Sequence, residues 1–139
     1  MKLDVALVWI HVTANVFWIG AIVAVGLLVC ADKIDAKIRG ALAADVYRKL
    51  AAPAFGISFL AGAGRLFADT AYYFKQTHFM HLKLLFALVV IGLHHAIGAR
   101  AKKLASGEAT DAGPTKALLG VLAVSAAIAV FAVVFKLPA

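Results

Sequence analysis

Charged residues make up only 15% of this 139-residue chain, and 7 of them are acidic against 14 lysines and arginines. A composition so poor in charge and 64% hydrophobic excludes an ordinary soluble domain of this size. The single cysteine, Cys30, excludes an internal disulfide and a cysteine-built metal centre, and reads as a small apolar packing residue. Two methionines, Met1 and Met80, are too few for a thioether copper relay. No run is polar enough to hold a soluble lobe, and no nucleotide-binding loop stands out. The cations form neither a tail nor one basic face, so nucleic acid is not an expected partner.

What is present in abundance is apolar length. A spanning helix needs about 20 mostly apolar residues. Four windows qualify, at residues 3–31, 50–73, 79–99 and 116–137. They predict an all-α chain, residues 1–139 forming a single integral membrane domain built as a four-helix transmembrane bundle in the lipid bilayer. The first window is about twice as long as a signal-peptide core and no small-residue cleavage site follows it, so it is read as a real helix. Lys33, Lys37, Arg39, Arg48 and Lys49 follow window one, and Arg100, Lys102, Lys103 and Lys116 follow window three. Only Lys2, Lys75 and Lys136 lie on the other side. By the positive-inside rule both termini are expected on the outer, periplasmic side of a bacterial inner (cytoplasmic) membrane. Residues 32–49 read as a polar inner connection with helical propensity, from which Val46, Tyr47 and Leu50 could dock on the membrane face. Pro53 suits the first turn of the second spanning helix. Tyr72, Tyr73, Phe74 and Phe79 would form an outer aromatic belt.

Ionisable side chains inside a span cost on the order of 3 kcal/mol or more near the bilayer centre, so each is a functional candidate. His11, Asn15 and Trp18 share one stripe of the first helix at spacings of four and seven. The second helix carries Arg65; the third carries His81, Lys83, His94 and His95. His11, Lys83 and Arg65 gather in the outer half, where the only carboxylate expected is Asp69, four residues after Arg65, and that imbalance asks for an anion. Lys83 and His94, eleven residues apart, share a stripe expected to face the interior, with His81 roughly opposite and His95 flanking. Ala61-Gly62-Ala63-Gly64, Gly120, Ala123 and Ala127 are small enough for close packing of helices or of a flat ligand.

Haem needs one or two imidazoles from facing helices, an apolar slot and cations for its propionates. Copper would need several imidazoles or sulfur ligands converging away from a lysine or arginine. The residues therefore favour haem b, with copper as the alternative. Candidate metal ligands are His11, His94 and His81; Asn15, Trp18, Arg65 and Lys83 would complete the cofactor site, with Lys83 and Arg65 also holding substrate carboxylates.

Four stretches carry a resemblance: Trp9-Ile10-His11 through Trp18-Ile19-Gly20, Tyr47-Arg48-Lys49-Leu50-Ala51-Ala52-Pro53, Met80-His81-Leu82-Lys83-Leu84 followed by His94, and Val133-Val134-Phe135-Lys136-Leu137-Pro138. In order and spacing the chain resembles the HemJ-type protoporphyrinogen IX oxidases, which belong with CopD-like membrane proteins of copper resistance. The resemblance implies a four-helix haem b protein that oxidises protoporphyrinogen IX to protoporphyrin IX in haem biosynthesis and passes electrons to quinone. It also implies His11 as haem ligand, His94 as a second ligand, and His81 with Lys83 as paired site residues. Porphyrin and quinone are thus the partners to consider, and a homo-oligomer is left open by the sequence. The chain departs from those oxidases at Val25-Gly26-Leu27-Leu28-Val29-Cys30 and at Leu93-His94. A copper-handling membrane transport protein is the alternative reading.

Overall fold

The computed structural model describes residues 3–76 and 79–135. Its regular elements are α1 (Leu3–Val29), α2 (Ala36–Val46), α3 (Ala52–Ala68), α4 (Phe79–Ser106) and α5 (Thr115–Phe135), with π-helical turns at Tyr47–Ala51 and Tyr72–Gln76. No strand occurs among the described residues. Among the described residues four segments are long and apolar enough to cross a membrane: Leu3–Val29, Ala36–Ala68, Phe79–Ser106 and Thr115–Phe135. Lys2, Lys136 and the Leu137-Pro138 end of the closing motif lie outside the described residues.

Four crossings return the chain to its starting side. The start of α1 and the end of α5 therefore share the terminal end of the bundle, while residues 30–35 and 107–114 connect helices at the basic end. Large apolar side chains such as Trp9, Phe17, Leu60, Leu88 and Val134 face outward. That inversion is the expected one for helices whose solvent is lipid.

The second span differs most from expectation. The segment expected as a polar connection is helical from Ala36, and α2 runs through the π-turn into α3 as 33 continuous residues. Asp35 starts it, its carboxylate accepting from the backbone N–H groups of Lys37 and Ile38. At ~1.5 Å per residue this helix is roughly 50 Å long, well beyond the ~30 Å hydrocarbon core, so hydropathy alone finds only part of it. Pro53 does stand in the first turn of α3, but the helix runs on before it through the π-turn. Its ring would clash with the carbonyl four residues earlier, and the π-turn relieves this locally: the Ala52 N–H bonds to the Tyr47 carbonyl five residues back. α3 ends at Ala68 because Asp69 leaves the helical region, at φ −146° and ψ 57°. α4, by contrast, continues past the expected boundary at residue 99 to Ser106. Lys103 in its last turn is favourably placed against the carbonyl end of the helix dipole.

α1 lies centrally, packing along α3 and touching α2, α4 and α5; α4 packs against α2 and α5. The basic-end core joins Ile22, Val25, Val29, Ala43, Tyr47, Ile97, Leu104 and Leu122. Glycines let these helices close on one another. A side chain at Gly40 would strike the α4 backbone at Leu104 and Ala105, and one at Gly98 would strike the Tyr47 ring. Tyr47 is therefore buried between helices instead of docking on the membrane face, whereas Leu50 is exposed. Arg39, only 4% exposed, donates from Nη2 to the Thr110 carbonyl at 3.2 Å and ties α2 to the α4–α5 connection.

Candidate functional site

The α3 and α4 backbones do not run against each other. Their side chains meet in one layer, where Trp18, Ala54 and Val90 cluster with Phe55 and Ile91. This layer divides the polar residues of the spans into two groups.

His11 belongs to the terminal group. Its Nδ1 lies 2.8 Å from the Ser58 carbonyl of α3, and a carbonyl can only accept, so Nδ1 carries the proton. The Nε2 lone pair is left to accept from the Asn15 amide at 3.1 Å, while the same amide nitrogen donates to the His11 carbonyl at 3.0 Å. The imidazole edge lies against Gly62, where a Cβ would stand 2.8 Å from its Cε1. Gly62 is thus required by the ring, and the small residues of α3 serve helix packing at this level. Lys83 on α4 is within electrostatic reach of His11 and makes no ion pair among the described residues.

Arg65 forms an ion pair with Asp4 of α1, N to O 3.5 Å, and not with Asp69, whose carboxylate instead accepts from the Tyr72 N–H at 3.4 Å. The expected pairing fails because α3 stops at Ala68, so Asp69 no longer lies one helical turn beyond Arg65 on the same face. Asp4 therefore also reduces the charge imbalance expected in this half. The guanidinium stacks 5.4 Å from the Tyr73 ring centre, and its buried Nε has no hydrogen-bond partner among the described residues. Beside it runs a groove of about 230 Å³ lined by Asp4, Val5, Val8 and Arg65.

The second group surrounds His94, which is fully buried. Trp18 Nε1–H donates to its Nδ1 at 3.1 Å, so a neutral ring carries its proton on Nε2. That Nε2 is buried without a partner among the described residues. Tyr47 stacks on the ring at 4.9 Å between centres and Phe55 tilts against it at 5.1 Å. His95 points outward and lies 3.4 Å from the Tyr47 hydroxyl. His81 is exposed, its ring 5.7 Å from Phe74.

His11, His94 and His81 are therefore not brought together. No group of three or more histidine, cysteine or carboxylate side chains could hold a metal ion among the described residues. Trp18 belongs to His94 and not to the His11 group, because its indole reaches toward α4. Cys30 is free just beyond α1, and burial pushes its thiol pKa up against the opposing pull of Lys116 and Arg39, which suits packing better than reactivity.

Sequence reasoning missed Ser58, Asp4, Tyr47 and Phe55. Ser58, Gly62 and Arg65 stand at i, i+4 and i+7, so the face of α3 that meets His11 was readable from helical spacing. Asp4 was visible as an acid in the first turn of α1.

Fold and site together define an all-helical, multi-pass membrane bundle with two separate histidine environments inside it. No protein-family model, curated protein or solved structure matches the chain.

Proposed function

We propose that this chain is a haem b-binding membrane oxidoreductase of the kind the HemJ-type resemblance implies, with His11 as the iron ligand. The observation that carries the reading is the 2.8 Å contact of His11 Nδ1 with the Ser58 carbonyl, from which the tautomer follows. Metal-ligating imidazoles usually donate one ring N–H to a carbonyl or carboxylate and present the other nitrogen's lone pair. His11 does this through Ser58, and only the Asn15 amide occupies Nε2. His94 has the reverse arrangement, with Nδ1 occupied and a proton on Nε2, so it is assigned no bond to iron here. His81, on the exposed face beside Phe74, is likewise left out of the ligand set.

The donor types, two cations and an imidazole whose Nε2 lone pair faces a side-chain amide, suit a porphyrin with two carboxylates. Arg65 and Lys83 are the cations for them: Arg65 has a buried Nε in want of an acceptor, and Lys83 has no ion-pair partner among the described residues. The groove beside Arg65, about 230 Å³, falls below the ~300 Å³ at which small-molecule pockets begin, so a macrocycle would keep part of its surface against acyl chains. Bound haem would supply one-electron redox chemistry, with a porphyrinogen as electron source and quinone as acceptor. In this reading Asn15 orients His11 and yields Nε2, Ser58 holds the ring's other side, and Arg65 and Lys83 hold carboxylates of haem or substrate. The basic end would face the cytoplasm, as the distribution of cations supports.

The test is the absorption spectrum of the protein purified from haem-replete membranes. A Soret band that disappears in His11→Ala and persists in His94→Phe is expected. A colourless protein overturns the proposal, and stoichiometric copper in a haem-free preparation would replace it with the copper-handling alternative.

A further inference from the structure

At the basic end a second groove opens between α4 and α5, far along the bundle from His11. It has a volume of about 220 Å³ and is lined by Ala96, Ala99, Arg100, Lys103, Pro114, Thr115 and Leu118. Its chemistry is graded. Ala96, Ala99 and Leu118 form the part toward the membrane interior, while Arg100 and Lys103 stand at the rim where α4 leaves the apolar layer. Asp111 holds the Arg100 guanidinium in place: Nε and Nη2 donate to its carbonyl at 3.1 and 2.8 Å, and Nη2 also pairs with its carboxylate. Nη1 lies outside those bonds. Lys103 is exposed and forms no ion pair among the described residues. Two cations against one carboxylate leave the rim with one net positive charge.

Below the rim the same face of α4 continues to Gly92, four residues before Ala96, and the space beside Gly92 is open. A chain could lie along this face toward the bilayer centre without meeting a side chain at that position. A polar, singly cationic rim above an open apolar face matches the build of a phospholipid with one net negative charge. Basic pockets between helices at a membrane surface bind anionic headgroups for this reason.

We propose that the α4–α5 groove is a binding site for one anionic phospholipid of the leaflet at the basic end, the phosphodiester at Arg100 and Lys103 and an acyl chain along Ala96 and Gly92. The inference does not depend on what the terminal half of the bundle binds. Arg100 is kept intact in the test because it anchors the α4–α5 connection through Asp111.

The full chain, purified in neutral detergent, would be titrated with phosphatidylglycerol or phosphatidylcholine and the retained lipid counted by native mass spectrometry. One phosphatidylglycerol should be retained in preference to phosphatidylcholine. Lys103→Gln should weaken that retention about fivefold, the loss expected for one surface cation. Ala96→Leu, which fills the apolar track and leaves every charge in place, should also weaken it, and millimolar inorganic phosphate should not displace the lipid. Equal retention of the two lipids overturns the proposal, as does wild-type retention in both variants. Displacement by inorganic phosphate, with phosphate binding intact in Ala96→Leu, would make it a free-phosphate site and overturn the lipid assignment.

Discussion

In the terminal half, His11 Nδ1–H donates to the Ser58 carbonyl; in the basic half, His94 Nδ1 accepts from the Trp18 Nε1–H. The chemistry available to the two rings is therefore opposite. One presents a lone pair covered only by a side-chain amide, and the other presents a buried N–H. Their surroundings differ in parallel. His11 lies against backbone, at Gly62 and Ser58, with cations on the neighbouring helices, whereas His94 is enclosed by Tyr47, Phe55 and Trp18 in a layer that joins helices. A histidine in a membrane span is thus not one kind of residue, and the partner of Nδ1 decides which kind it is.

The largest expected effect comes from Gly62→Leu, which places a side chain where the His11 ring now lies. Overpacking of this sort costs ~1–3 kcal/mol and should displace the ring, abolishing haem retention in the purified protein. The control is Gly56→Ala, where space is open, and its Soret intensity and melting temperature should match wild type. Equal behaviour of the two variants would break the claim that His11 depends on this contact.

Next in size is the pair of histidine replacements. His94→Ala should lower stability by ~1–3 kcal/mol, because it leaves the buried Trp18 N–H unpaired, yet keep whatever haem the folded fraction binds. His11→Ala should do the reverse, losing haem with a smaller change in melting temperature. Crossed outcomes, with His94 controlling the spectrum, would invert the assignment of the two halves.

Replacing Arg65 or Lys83 by glutamine should weaken haem retention about tenfold each without moving the Soret maximum, since each removes a charge-assisted contact worth ~1.5 kcal/mol and no ligand. Retention titrated against added haem would measure it. The smallest effect belongs to Asp4→Asn. The Arg65–Asp4 pair is 3.5 Å long and its carboxylate is 60% exposed, so its loss should change the melting free energy by ~0.5 kcal/mol or less. A substantially larger loss would show that Asp4 positions Arg65 and does more than screen it.

Much of this was legible before any coordinates. Apolar length announced four spans, and the intervals among His11, Asn15, Lys83 and His94 located polar stripes, because burial in lipid constrains every residue of a helix at once. Other features were hidden for identifiable reasons. The basic residues before Leu50 masked the start of the second span at Ala36, since hydropathy registers only the part within the apolar layer. Arg65 was matched to Asp69 by helical spacing, but the helix ends between them and a carboxylate on another helix takes the role.

Composition and periodicity by themselves determined that the chain is a four-span helical membrane protein and which polar residues its helices carry, since both depend only on local transfer energies and the 3.6-residue repeat. The tertiary structure alone decided which nitrogen of each histidine holds the proton and which helices those rings connect. A tautomer is set by the donor or acceptor opposite the ring, and for His11 and His94 that partner comes from a different helix, 47 and 76 residues away along the chain.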